Sequence, residues 1–410
     1  MARRCGFLAR ALGDAHSVSR ILFLSGWFPA PANNGSKIRI LNLLRELSKK
    51  HELSLVSFAD EPNANPNAAE LYSICRDVQV VAPSQSEAGR RYTVSGLWSR
   101  TPRSLSAAYS TEMAARIKQT LAAKKYDVVI ASQLTMASYK SCFGGLPALF
   151  EEVEVGVLYD QFIKASSLKQ RVRYGMTWKK HRQYLAWLLR QYRACTVASE
   201  PERELVKSLL PESRTVQVIP NGLDLDAYAD IPRMEQPNTL IFTGSFRYSA
   251  NHDAMVWFLK EVYPEVTAQL PDVQLKITGE HANLELPTAK NVTRTGYVND
   301  VRPLVASACV SLAPLRVGGG TRLKILEAMA LRTPVVATTK GAEGLAARNN
   351  EHLLIADTPD EFARAVIRLL QDSQLRRRLA NNAYQLVQNK YDWAAVMPQF
   401  MHLIERITYN

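Results

Sequence analysis

The residues best suited to chemistry lie at Pro314–Ala330, P-L-R-V-G-G-G-T-R-L-K-I-L-E-A-M-A. An apolar run leads into three consecutive glycines, Gly318, Gly319 and Gly320, and then, past Thr321 and Arg322, into a helical pattern. Adjacent residues without side chains cost conformational entropy, which makes sense where backbone amides must come close to a ligand. A phosphate-binding turn has this form. Within the following helix Lys324 and Glu327 are three apart and share a face. They could form an ion pair along the helix, worth about a few tenths of a kcal/mol. They could instead supply a cation for a diphosphate beside a carboxylate that accepts hydrogen bonds from ribose hydroxyls, and the glycines just ahead favour this second reading.

Two more loops could hold a charged ligand. Phe242–Asp253 reads F-T-G-S-F-R-Y-S-A-N-H-D. Gly244 and Ser245 permit a tight turn there, and the Arg247 guanidinium could bind phosphate oxygens in bidentate fashion or lie at the surface. Ser25–Lys37, S-G-W-F-P-A-P-A-N-N-G-S-K, ends where a helix begins. Gly35 lets the backbone approach a ligand, and a helix N-terminus favours a phosphate or polar sugar; an ordinary strand-to-helix turn explains the segment equally well.

Ligands of open α/β sheets collect beyond the carboxyl ends of the strands, so each loop needs a strand before it and a helix after it. Arg20–Ser25 is a continuous apolar run, as a parallel strand buried on both faces requires. Ser36–Lys50 repeats Ile40, Leu43, Leu44 and Leu47 at helical spacing. Further strands are expected at Leu53–Phe58, Val78–Val81, Asp127–Ala131, Ala148–Phe150, Ala194–Val197 and Val216–Ile219. At Pro220–Pro237 three prolines, an Asn-Gly pair and four acids mark a linker. A second series follows at Thr239–Thr243, Val273–Thr278, Val292–Thr295, Cys309–Ala313, Pro334–Ala337 and His352–Ile355. The expected fold is α/β, with two doubly wound Rossmann-like domains facing across a cleft. Residues 1–219 would form the first, 220–238 the linker, 239–390 the second, and 391–410 a helix crossing back to the first.

Composition sets the bounds. The length of 410 residues favours two domains, and 47% hydrophobic with 22% charged residues excludes disorder, collagen and coiled coil as the main state. Apolar stretches such as Tyr184–Leu189 fall far short of the ~20 residues that cross a bilayer. The opening M-A-R-R-C-G-F-L-A-R-A-L-G is basic but interrupted by Arg10, and reads as a cytosolic start. Cys5, Cys75, Cys142, Cys195 and Cys309 contain no C-x-x-C pair, which fits a reducing compartment rather than a disulfide framework or zinc site. Histidine shows no metal-ligand spacing either.

The net charge of +13 is uneven: residues 1–230 hold 31 Lys/Arg against 21 Asp/Glu, and residues 231–410 hold 20 against 17. Gln161–Arg193 carries nine Lys/Arg and no acid, interleaved with Tyr174, Trp178, Tyr184, Trp187 and Tyr192. On a helix Trp178, Leu185, Leu188 and Tyr192 fall near one face, with Lys179, Arg182, Arg190 and Arg193 toward the other. That suits a helix lying on an anionic membrane surface, or one packed on the domain core through its aromatics. No nucleic-acid module accompanies the segment, so nucleic acid is not expected as a partner.

These residues resemble those of the retaining glycosyltransferases of family 4, which have the two-Rossmann-domain GT-B fold. The likeness rests on V-I-P-N-G-L-D at Val218–Asp224, L-I-F-T-G-S, T-G-Y-V at Thr295–Val298, and above all L-K-I-L-E-A-M-A-L-R-T-P-V-V-A-T at Leu323–Thr338. G-S-F-R-Y-S-A-N-H-D-A-M-V-W-F is similar to a branch associated with exopolysaccharide and cell-surface glycan assembly.

The resemblance implies transfer of a sugar from a nucleotide-diphosphate donor, held mainly by the second domain, to a glycan or lipid-linked acceptor held mainly by the first. No metal or other cofactor is implied, so Lys/Arg side chains and helix N-termini must neutralise the departing diphosphate. Glu327 matches the second glutamate of the family's pair and would bind the donor ribose. Lys324 and Arg247 would meet the diphosphate, with Arg322 behind them, and Tyr297 and Val298 would lie by the base. The pair's first glutamate falls on Gly319, so sugar contacts would come from the amides of Gly319, Gly320 and Thr321. The family's Arg and Lys after the second domain's first strand are also out of register, falling near Ser245 and Asn251.

In the first domain F-E-E-V-E-V sets Glu151, Glu152 and Glu154 where relatives present an acidic or histidine-bearing loop. One of them could orient the acceptor hydroxyl, although in such enzymes the donor phosphate is usually described as the base. A solvated turn or ion pairs with the basic segment are the alternatives. The expected location is cytoplasmic, at the inner face of the plasma membrane. A nucleotide-sugar epimerase on the same scaffold and a non-catalytic sugar-nucleotide-binding subunit remain as other readings.

Overall fold

Strands shielded on both faces require unbroken apolar runs, and those runs become the strands of two parallel sheets. A computed structural model describes residues 18–32, 34–59, 69–82, 101–163, 165, 167–210, 215–281, 283–318 and 322–409. Among them, β1 (Arg20–Ser25), β2 (Glu52–Phe58), β3 (Asp77–Val81), β4 (Val128–Ser132), β5 (Ala148–Glu151), β6 (Ala194–Val197) and β7 (Thr215–Val218) form one sheet in the order β3-β2-β1-β4-β5-β6-β7. The second sheet, β10-β9-β8-β11-β12-β13, contains β8 (Thr239–Thr243), β9 (Gln274–Thr278), β10 (Val292–Gly296), β11 (Val310–Ala313), β12 (Val335–Ala337) and β13 (Leu354–Ile355). Leu22 on β1 sits opposite Ser54 on one side and Val129 on the other. In both sheets the chain starts centrally, works to one edge and returns to the other. Strand order therefore reverses between β1 and β4 and between β8 and β11, the places where α/β sheets open a crevice.

Helices cover both faces of each sheet. The Gly35–Ser48 helix and the last helix, Trp393–Tyr409, share one face of the first sheet, where Ile40, Leu44, Phe400 and Ile404 are buried with Ile21 and Phe23. The chain passes between the sheets twice, side by side. Leu223 N–H donates to the Tyr391 carbonyl at 2.7 Å and Trp393 N–H to the Leu223 carbonyl at 2.9 Å. A Cβ on Gly222 would lie 2.9 Å from the Tyr391 oxygen, which explains the glycine of the P-N-G turn.

The basic segment folds as a helix, Leu168–Leu189, but its aromatic stripe is not a membrane face. Trp178 is only 8% exposed, and with Tyr184, Leu185, Leu188 and Tyr192 it belongs to the core under the first sheet. The second of the two readings above holds for these residues. The Gly156–Ile163 helix closes over the long helix from outside, with Tyr159 against Trp178 at 5.4 Å and Phe162 where a Cβ on Gly175 would be 3.0 Å away.

Candidate active site

The second domain presents its strand ends as one glycine-lined ledge. Thr-Gly closes β8, β9 and β10 alike, and Gly244, Gly279 and Gly296 all have positive φ, at 145°, 115° and 70°. A Cβ on Gly279 would lie 2.5 Å from the Gly244 oxygen, and one on Gly244 would meet Asn251 Nδ2 at 2.7 Å and Lys324 Nζ at 2.9 Å. Only glycine allows these side chains to press against the backbone there.

Lys324 stands on the second residue of the Leu323–Ala330 helix, half-buried. Its amine donates to Asn251 Oδ1 at 2.8 Å and lies 4.2 Å from the Phe242 ring centroid. Asn251 is held in turn by donating to the Ser245 carbonyl at 2.8 Å. Burial, aided by the nearby Arg322 charge and opposed by Glu327, pushes the Lys324 amine down to about 7. A cation with a neutral amide as partner is under-compensated, the state an incoming diphosphate would relieve. One turn on, Glu327 accepts a hydrogen bond from the Tyr228 hydroxyl at 3.3 Å, and burial raises its carboxyl above the ordinary range. Tyr228 comes from the linker and is flanked by Arg302 at 5.9 Å.

The remaining expected donor residues are distributed unevenly. Arg247 is not brought to Lys324: it points outward, its side chain 74% exposed, and pairs with Glu280 at 2.7 Å. Ser245 accepts from the Arg247 N–H through its hydroxyl and belongs to the turn itself. Arg322 is buried and donates to the carbonyls of Gly318 and Lys340, both at 3.0 Å, so it ties the end of Pro314–Gly318 to the residues after β12. Gly318 has φ 96°, and a Cβ there would lie 2.1 Å from the Tyr248 hydroxyl. Gly319, Gly320 and Thr321 lie outside the described residues, as does the basic opening of the chain. Tyr297 is exposed and Val298 half-buried just past β10, at the sheet edge. Gly35 opens the Gly35–Ser48 helix, capped by the Asn34 side chain; a Cβ on it would be 3.4 Å from Leu323 Cδ1, so it touches the helix that carries Lys324.

The first domain's three glutamates separate by role. Arg39, 1% exposed, binds Glu151 at 2.6 Å, the Ile219 carbonyl at 3.0 Å and Asn221 at 2.7 Å, and Ser132 donates to the same carboxylate at 2.7 Å. Glu151 is thus sealed in a structural ion pair that also anchors the linker. Glu152 turns the other way, with φ 56°, keeps its Oε1 at 3.8 Å from Arg39, and accepts from Gln133 at 3.3 Å. Burial, reinforced by Glu151 and Glu154 and opposed by Arg39 and Gln133, pushes its carboxyl up to about 7. Gln133 also has positive φ, 66°, at the end of the neighbouring strand β4. Two non-glycine residues held there cost about 1–3 kcal/mol each, a strain typical of functional sites. Glu154 is exposed.

A third link bridges the domains: Lys340 pairs with Asp160 of the Gly156–Ile163 helix and with Glu343. Gly279, Tyr228, Gln133 and Lys340 were not singled out from sequence as ligand-site residues, and Asn251 was named only as the position near which the family's lysine falls. The repeated Thr-Gly at successive strand ends could have revealed Gly279; the others carry no local signal. Among the described residues no three His, Cys, Asp or Glu side chains gather as a metal would need.

Residues 34–222 match the glycosyl transferase 4-like domain, and residues 237–372 match the glycosyl transferases group 1 family. A phosphatidyl-myo-inositol mannosyltransferase of Mycolicibacterium smegmatis is 32% identical over 203 residues, 46% of this chain and 52% of that protein. The lipopolysaccharide core biosynthesis glycosyltransferase LpsE of Rhizobium meliloti is 31% identical over 155 residues, 34% of this chain and 44% of that protein. The matches span about half the length of these curated relatives.

Among solved structures, Anabaena Alr3699/HepE in complex with UDP and glucose superposes with TM-score 0.63 at 15% identity, covering 95% of this chain and 100% of that one. Sucrose-phosphate synthase from Thermosynechococcus elongatus gives 0.69 at 18%, covering 95% and 99%. A UDP-N-acetylglucosamine 2-epimerase described as putative, from Listeria monocytogenes, gives 0.56 at 13%, covering 95% and 96%. The scaffold is therefore shared by transferases and an epimerase-type protein, and the domain matches are what single out the transferases.

Proposed function

Both halves of this chain are glycosyltransferase-type domains, and on that premise we propose that it is a retaining, metal-independent glycosyltransferase. It moves a sugar from a nucleotide-diphosphate donor to a lipid-linked or polysaccharide acceptor in cell-surface glycan assembly, at the cytoplasmic face of the membrane. The observation that carries this reading is the Lys324 amine, held by a neutral amide against the Gly244 backbone, one helical turn from the Glu327 carboxylate.

The donor's diphosphate takes the place beside Lys324, which then carries a full proton and stabilises the charge that builds on the leaving group. Glu327, with Tyr228, receives the ribose hydroxyls. Gly35, Gly244, Ser245 and the turn beginning at Gly318 line the phosphate and sugar, and Tyr297 and Val298 flank the base. Arg247 joins by exchanging Glu280 for a phosphate oxygen, an easy trade because an exposed ion pair is worth about 0–1 kcal/mol. From across the cleft Glu152 orients the acceptor hydroxyl.

The test is a donor panel with and without acceptor glycans. Nucleoside diphosphate released only when acceptor is present is the expected result. An epimerised donor, or nucleotide binding with no turnover, would replace the reading with one of its two alternatives. Lys324→Ala should lower turnover about 100- to 1000-fold, in line with loss of one leaving-group contact, while Glu327→Ala should weaken nucleotide binding measured by calorimetry.

A further inference from the structure

The Leu168–Leu189 helix has a second apolar stripe, opposite the one buried in the core. Leu168, Val172 and Met176, four residues apart in turn, are 79%, 55% and 64% exposed, and Trp187, farther along the same side, is 55% exposed. Helical spacing sets Lys169 and Lys179 among these apolar residues and Arg173 beside them, all exposed. The preceding helix ends close by at Ile163, itself 57% exposed. Apolar side chains of this size are seldom left in water in a row, and the basic run around them contains no acid from Gln161 to Arg193.

We propose that this outward face is the surface on which the protein docks to an anionic lipid bilayer. The apolar residues enter the headgroup region and the lysines and arginines meet lipid phosphates. Charge argues against the other occupants. A second copy offering the same face across a two-fold axis would set cation against cation. Leucine, valine and methionine give a nucleic acid nothing to stack on, since base stacking needs aromatic faces and only Trp187 supplies one. The inference rests on the membrane side of the function proposed above. It exchanges the stripe of Trp178, Leu185, Leu188 and Tyr192, which the core occupies, for a different set of residues.

The experiment is co-sedimentation of the full chain with vesicles of phosphatidylglycerol and phosphatidylcholine in equal parts, and with phosphatidylcholine alone. The wild type should sediment with the first and not the second, and Trp187 emission should shift to the blue, a shift absent in Trp187→Phe. Lys169→Glu with Lys179→Glu, and separately Val172→Asp with Met176→Asp, should each lower the bound fraction at least tenfold. Because all four residues are exposed, melting temperature and soluble-donor hydrolysis should stay unchanged. A wild type indifferent to anionic vesicles overturns both this inference and the membrane side of the proposed function. A wild type that binds, while both double variants bind equally well, overturns this face alone.

Discussion

Across the cleft two sites pair a cation with a carboxylate and use the same ingredients in opposite ways. In the first domain Arg39 is neutralised: its guanidinium binds Glu151, a carbonyl and Asn221, with the Glu152 carboxylate 3.8 Å away. In the second domain Lys324 is bound to an amide, Asn251, and Glu327 is engaged by a tyrosine instead of by the lysine. The first arrangement neutralises its cation and holds the linker in place. The second leaves its cation short of negative charge. A buried pair that satisfies itself builds structure; one left incomplete is ready for a ligand that completes it.

Removing the cation from the closed pair is the strongest way to break this contrast. Arg39→Ala leaves the buried Glu151 without its counter-ion and removes the bond to Asn221, and should destabilise the fold by about 3–5 kcal/mol. Denaturant unfolding would read the loss. A change below about 1 kcal/mol would mean that the pair is not the strut described.

The open pair can be converted into a closed one. Asn251→Asp sets a carboxylate against the Lys324 amine and should weaken nucleotide diphosphate binding about tenfold or more, since the ligand must now displace a charge. It should also alter the pH dependence. With the wild-type amine at about 7 in the empty site and raised once an anion is bound, binding above about pH 7 takes up a proton. Affinity should therefore fall by up to about tenfold per pH unit as pH rises above that point. In Asn251→Asp the amine is already protonated when empty, and the slope should flatten. Calorimetry at several pH values checks both.

A smaller effect sharpens the other side of the cleft. With the Glu152 carboxyl raised to about 7, turnover should change through that pH. Glu152→Gln should remove the inflection while leaving the donor KM within about twofold, as a pH–rate profile would show.

How much of this was legible depends on the range of the forces involved. The strands could be read within one or two residues because burial on both faces demands local, unbroken apolar runs; β1, β6 and β8 coincide with the segments expected. That Lys324 and Glu327 share a face was legible because they lie three apart on one helix. For Arg247 the sequence specifies the loop and leaves the direction of the long side chain open; its partner Glu280 is 33 positions away. The long basic helix left two readings open for the same reason, since it carries apolar residues on both sides and periodicity cannot say which side another element will cover.

From the sequence alone came two parallel α/β domains, their strands, and a helix that sets a lysine and a glutamate on one face, all consequences of near-neighbour spacing. Only the tertiary structure decided that Glu151 would be sealed by Arg39 while Glu152 met Gln133, that Lys324 would donate to Asn251 while Arg247 paired with Glu280, and which stripe of the long helix would remain in water. Those outcomes depend on distances between segments far apart in the chain, and such distances exist only once the sheets have formed and packed.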